Sequence, residues 1–384
     1  MRAYAGVDYL ARQFLERGYP VTVFAHVPAE HMSETVGLPY KVQSLHSGWL
    51  GALPRVRNLI FRRRIQSELE RGCSAVLVNV TNPSGYFKLS VDHKLARPHV
   101  PLIHYCPEIW VPGEPTRLSK STLAFYQAHI NLPDLIIDVD AHRAVARQKA
   151  FSVQKPVHVL PNTLPRNAVS ASVPEGELAR LAGRSFPAGK RILLFTGAAS
   201  ASTLEEIRQL VPKLNDQVFF LWFVSGKKEE AMRATLAIGE AGHERFHVAP
   251  AVPREVLLAA QRQAHAGLIA YSQRAVPTLN QKFAAPTKLY EYIANGLPVV
   301  SYPNPSIVKQ VVDYSIGQCA AEDSAASLAE AANALLARPD LANLSDHVER
   351  VFFDHLCYER QSAEIMERLL ALVEPNSSQQ RFGT

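Results

Sequence analysis

Lys288 and Glu291 stand three residues apart behind Pro286-Thr287, in the stretch FAAPTKLYEYIANGLPVVSYPNPS at 283–306. A cation at the start of a helix, with a carboxylate one turn further in, suits a phosphorylated, hydroxyl-bearing ligand. The free amides and positive end of a helix attract anions, and the lysine adds a full charge. A diphosphate fits there. Glu291 would then accept hydrogen bonds from a vicinal diol of the kind a ribose carries. The local pattern makes the helix. Pro286 suits the first helical position, where its missing N–H costs nothing. Leu289, Ile293 and Ala294 fall on one face. Gly296 ends the helix in a left-handed conformation. Pro298 prevents its resumption, and Val299-Val300 reads as a buried strand.

A second anion contact is expected at FTGAASAS, 195–202. Gly197 permits close backbone approach there, Ala198 follows it, and Thr203 reads as the cap of the next helix. Lys227, after VSG at 224–226, lies at the end of another strand. It reads either as a phosphate contact or as a solvated lysine beside Lys228, Glu229 and Glu230. No metal site is expected: DVD at 138–140 reads as a structural strand end, and the four cysteines, 73, 106, 319 and 357, form no C-x-x-C. No G-x-S-x-G offers a serine nucleophile.

Helical and strand patterns alternate along the 384 residues. The first half reads as a helix over 4–18, then strands at 21–25, 75–80, 101–106, 135–140 and 157–161. Residues 162–190, rich in Pro, Gly, Ser and Ala, read as a linker. A second series follows, with strands at 191–197, 218–226, 246–252, 266–272, 299–303 and 316–321. Continuous apolar strands between helices imply parallel sheets covered on both faces. The fold class is therefore α/β, with two doubly wound, Rossmann-like domains and a ligand cleft at the carboxyl ends of their strands. The expected divisions are 1–165, 166–344, a C-terminal helix at 345–374 packing back toward the first domain, and a disordered tail at 375–384. The first domain starts with a helix where a strand is usual. Either that strand is dispensed with or the start codon lies upstream.

Composition narrows the partners. The chain is 47% hydrophobic with a net charge of +6, a globular composition open to anionic ligands. No secretory signal is apparent, and the longest apolar run, VFFLWFV at 218–224, is far too short to span a membrane. A reducing, cytoplasmic setting is expected. Arginines crowd 54–72; the helix there reads either as a solvated face or as a surface against anionic lipid at the inner face of the membrane. Nothing suggests nucleic acid.

Several stretches in order resemble glycosyltransferases of GT-B fold, near family 4: YAGVDYLARQFLERGYPVTVF, PDLIIDVDAHRAVARQ with VHVLPNT, ILLFTGA, VPREVLLAAQRQAHAGLIAYS and APTKLYEYIANGLPVVSY. The last fits the Pro-x-Lys-Leu-x-Glu-Tyr subgroup. The resemblance implies a retaining, metal-independent hexosyltransferase with a nucleotide-diphosphate sugar as donor and no cofactor. The donor would be held by the second domain through Pro286, Thr287, Lys288, Leu289, Glu291, Gly197, Ala198, Lys227 and Tyr271. Glu291 matches the carboxylate that holds the ribose. A second family glutamate, eight positions earlier, is replaced by Phe283. A sugar, lipid-linked or small-molecule acceptor would lie on the first domain, near Gly6. The family's acceptor-side histidine falls at Pro107, so Glu108, then His104, are the candidates to position the acceptor hydroxyl; His104 also reads as a core histidine. The implied setting is glycan, polysaccharide or glycolipid biosynthesis. The alternative is a catalytically weak homologue that binds nucleotide sugar or serves as a partner subunit.

Overall fold

The computed structural model describes residues 5–25, 39, 41–44, 54–71, 73, 75–79, 85–115, 118–169, 173–225, 245–274 and 278–374. The chain divides into two compact units, 1–161 with 362–384, and 162–361.

In the first unit α1 (Ala5–Glu16) leads into β1 (Thr22–Ala25), which pairs in parallel with β2 (Lys41–Ser44). The sequence KVQS gave no strand signal, since it holds one apolar residue; its pairing with β1 makes it a strand. Then follow α2 (Pro54–Glu70), β3 (Val76–Asn79), α3 (Gly85–Ala96), β4 (Leu102–Cys106), α4 (Lys120–His129), β5 (Leu135–Asp138), α5 (Ala141–Phe151) and β6 (Val157–Val159). Strands β3-β4-β5-β6 form one parallel sheet in chain order. All five residues of β4 are buried, as expected of a strand covered on both faces. Asp140 caps α5 by accepting the Arg143 N–H at 3.0 Å.

The second unit contains α6 (Glu177–Ala182), β7 (Arg191–Gly197), α7 (Ala201–Leu210), β8 (Val218–Val224), β9 (Phe246–Ala249), α8 (Arg254–Ala260), β10 (Ala266–Ile269), α9 (Leu279–Lys282), α10 (Thr287–Ala294), β11 (Val299–Ser301), α11 (Pro305–Tyr314), β12 (Gly317–Cys319), α12 (Ala325–Leu336) and α13 (Leu341–Val351). Its sheet runs β12-β11-β10-β7-β8-β9, every pair parallel. Alternate residues feed two cores, as a period of two requires. Leu193, Phe195, Phe220 and Trp222 pack under α7 and α12, through Ile207, Leu210, Leu328 and Leu335. Ile192, Leu194, Phe219, Leu221 and Phe223 pack under α6, α8, α10 and α13, through Leu178, Leu258, Leu289, Ile293 and Val348. The stretch 162–190 is not a linker. Leu164 and Leu178, both fully buried, fill the second of these cores, so their burial ties the segment to the sheet.

A last helix, α14 (Tyr358–Val373), follows, and its residues from Ser362 count with the first unit. There the Gln13 amide donates to the Ser362 hydroxyl at 3.1 Å, and the Tyr19 hydroxyl to the Glu374 carboxylate at 2.8 Å. The tail at 375–384 lies outside the described residues. Among those described, no helix is long and apolar enough to cross a membrane.

Candidate functional site

At the carboxyl end of β7 the backbone turns at Gly197. The Gly197 carbonyl is fixed twice, by the Ser225 N–H at 2.9 Å and by the Trp222 indole N–H at 3.0 Å. Lys288, from the first turn of α10, reaches the same place. Its ammonium donates to the Thr196 carbonyl at 2.7 Å. It lies over the rings of Phe195 and Tyr271, 4.8 and 5.2 Å from their centroids. A side-chain carbon at Gly197 would stand 3.1 Å from the lysine nitrogen. Burial pulls the Lys288 pKa down from 10.5 to about 8, against the opposing pull of Glu291. A half-desolvated cation beside an open backbone turn is poised for an anion.

The helix start is open as well. Where α4, α5, α7, α11 and α12 are capped by Ser119, Asp140, Ser200, Asn304 and Ser324, α10 has no side-chain cap. Pro286 is the N-cap, with extended backbone at ψ 136°, and Thr287 is the first helical residue. This corrects the sequence expectation by one position: at that ψ the proline stands outside the helix. The Leu289 N–H is already used, donating to the Pro286 carbonyl at 3.2 Å, and its side chain belongs to the core. Ala198 is exposed and Thr287 half-buried. Gly296 ends α10 at φ 69°. Ser200, not Thr203, caps α7: the Thr203 N–H donates to the Ser200 hydroxyl at 3.2 Å. Lys227 lies outside the described residues. The structure thus brings Gly197, Tyr271, Lys288 and Glu291 to one locus from three separate sequence regions.

Two further groups had no sequence signal. Arg254, first residue of α8, meets Glu291: its Nε–H donates to Oε1 at 2.7 Å, and Nη2 stands 2.6 Å from the same oxygen. Arg274, on the loop after β10, bonds both carboxylate oxygens of Glu206 at 2.9 and 2.8 Å. The Tyr302 hydroxyl donates to the same carboxylate. Such pairs join residues distant in sequence, and no spacing reveals them.

In the first unit Glu108 follows β4 and is half-buried. Burial lifts its carboxyl above the ordinary glutamate range, against the pull of Arg143. Two arginines one turn apart on α5 hold the backbone at this turn. Arg143 donates to the Pro107 carbonyl at 2.7 Å and Arg147 to the Glu108 carbonyl at 2.8 Å. Arg147 also bonds Asp138 and the Tyr126 hydroxyl, each at 2.8 Å. Asp138, the first aspartate of DVD, is therefore an ion-pair partner inside the core. His104 is fully buried, 5.0 Å from the Phe87 ring, and neither ring nitrogen has a partner. Burial pushes its pKa down to about 3, with Arg147 acting in the same sense. Gly6 lies not in a loop but in the first turn of α1, where a side chain would collide with the Tyr105 hydroxyl. Among the described residues no three His, Cys, Asp or Glu side chains gather as metal ligands, and all four cysteines are free thiols.

This architecture has known counterparts. A glycosyltransferase from Rickettsia africae matches with a TM-score of 0.73 at 10% identity, covering 98% of this chain and 97% of that one. HepE of Anabaena, solved in complex with UDP, matches at 0.69 and 13% identity over 97% and 98%. Sucrose-phosphate synthase of Thermosynechococcus elongatus matches at 0.69 and 16% identity over 96% and 94%. The fold is thus GT-B. Residues 185–347, within the second unit, match the family model described as "Glycosyl transferases group 1". The match includes β7, α8 and α10 whole. No curated protein matches the chain by sequence.

Proposed function

We propose that the protein transfers a sugar from a nucleoside-diphosphate sugar to a hydroxyl acceptor. The observation that carries this reading is the meeting of Lys288 with the Gly197 turn beside the uncapped start of α10, with Glu291 one turn in. The diphosphate docks on the amides of Thr287 and Lys288, on the lysine ammonium and on the turn at Gly197-Ala198. Tyr271 lines the same place, and Glu291 grips the ribose. As the bond between the sugar's anomeric carbon and the phosphate oxygen breaks and the acceptor oxygen bonds that carbon, this positive cradle stabilises the departing diphosphate. With that cation in place the reaction needs no metal. Glu108 positions the acceptor hydroxyl and takes its proton; the buried His104 supports the strand beneath it. Retention of configuration and a glycan, polysaccharide or glycolipid acceptor follow the family resemblance. The exposed Arg62, Arg63 and Arg64 on α2 favour an acceptor presented at an anionic membrane.

The test is thermal-shift screening against nucleoside diphosphates and their sugars, followed by product analysis. One nucleotide should raise the melting temperature in proportion to occupancy, and Glu291→Ala should abolish that shift. A shift unchanged in Glu291→Ala discards the ribose contact. Phe283, where a second glutamate is usual, and the inaccessibility of His104 favour one other reading, a weak homologue that binds nucleotide sugar without turnover. Binding without release of free sugar or transfer product would establish it instead.

A further inference from the structure

Arg254 grips Glu291 from one side only. Its Nε–H donates to Oε1 at 2.7 Å and Nη2 stands 2.6 Å from the same oxygen, while no hydrogen bond joins the arginine to Oε2. The usual fork between guanidinium and carboxylate spends one N–H on each oxygen. The Glu291 backbone is fixed as well, its carbonyl accepting the Asn295 amide N–H at 2.8 Å. What would remain loose is the terminal torsion of the glutamate, which is broad and nearly two-fold in an unheld side chain. Arg254 removes that freedom. The Glu291 side chain is 12% exposed and that of Arg254 36%, so the pair stands at the edge of the buried region, where a ligand can reach it.

We infer that Arg254 is a positioning residue for the ribose of the donor nucleotide: by holding Oε1 it aims Oε2 at the vicinal diol, and it thereby sets the preference for ribonucleotides over 2′-deoxyribonucleotides. This rests on the ribose reading of Glu291. A carboxylate fixed toward a hydroxyl rejects the analogue lacking it, because one buried polar group is then left unpaired. A carboxylate free to rotate finds the remaining hydroxyl or water and discriminates little.

Titration calorimetry with UDP, GDP and ADP and their 2′-deoxy counterparts decides the matter on the full chain. The wild type should prefer the ribo form of its best-binding base by roughly tenfold or more. In Arg254→Met that ratio should fall to within about threefold while the unliganded melting profile stays cooperative. Arg254→Lys, which keeps one cationic donor for Oε1, should give an intermediate ratio. It also serves as the decisive variant should the methionine protein not fold. A ratio unchanged from wild type in the variants overturns the role of Arg254 and leaves the ribose contact standing. Equal affinity for ribo and deoxy forms in the wild type overturns the ribose contact itself, and binding of none of the six overturns the donor site. A merely structural arginine would weaken both forms alike and leave the ratio untouched.

Discussion

If Lys288 holds the diphosphate as proposed, raising the pH should weaken nucleotide binding. Burial brings the lysine pKa from 10.5 to about 8, so roughly nine in ten molecules carry the charge at pH 7 and about one in ten at pH 9. The terminal phosphate of a nucleoside diphosphate has lost its last proton by pH 7, its pKa being about 6. The change between pH 7 and 9 therefore belongs to the protein. If the bound diphosphate holds the lysine charged, affinity falls roughly tenfold over that range, about 1.4 kcal/mol. Calorimetry in buffers of different ionisation enthalpy should show proton uptake rising from about 0.1 to about 0.9 per nucleotide bound. Lys288→Met should bind weakly at both pH values, without uptake. Affinity flat from pH 7 to 9, or the same slope in Lys288→Met, refutes the assignment. Stability carries the opposite sign. The folded pKa lies below the unfolded one, so the burial cost is complete below pH 8 and fades as pH rises from about 8 to 10.5. Across that window the unliganded wild type should gain on Lys288→Met by about 3 kcal/mol in urea unfolding.

Glu108 gives a second pH signature. Its pKa is raised by burial, and in the proposed role its charged form does the work. Transfer should therefore fall as pH drops through a midpoint above the ordinary glutamate range. Glu108→Gln should lower kcat more than donor KM, spare nucleotide binding and erase that acid limb; a limb kept in the variant assigns it elsewhere. Arg147 and Asp138, 1% and 0% exposed, form a buried pair whose breaking leaves a bare charge. Arg147→Met should cost about 3–5 kcal/mol in urea unfolding. Adding Asp138→Leu should restore much of it, and a single-variant loss under about 1 kcal/mol would contradict the pair's geometry.

Much of this was legible in the chain, for physical reasons that differ by element. The run VFFLWFV betrays a strand covered on both faces, because only such a strand has no polar alternation; β7 beside it and β10 beyond β7 read the same way. The helix at 287–294 is written in its ends, an N-terminal proline and a glycine at φ 69°. Lys288 and Glu291 were legible because they share that helix, and Gly197 because a glycine after an apolar strand marks a turn. What failed to show depends on contacts distant in sequence. Residues 162–190 are punctuated like a linker, yet Leu164 and Leu178 find holes in a core built by strands that follow them. Strand β2 exists through its pairing with β1. Arg254 looked like any first-turn residue until α10 brought Glu291 beside it. His104 shows the opposite limit: its type suggested chemistry, but a strand covered on both faces and the Phe87 ring bury it.

Trp222 reaches further than its place in the core suggests. Its indole nitrogen bonds the Gly197 carbonyl at 3.0 Å, and the next carbonyl back, that of Thr196, holds Lys288. The chain carries three tryptophans. With Trp49 and Trp110 replaced by phenylalanine, the remaining indole emission would come from a fluorophore wired by one hydrogen bond to the Gly197 turn, where the proposed diphosphate docks. Occupancy of the turn then becomes visible as light, with no label attached.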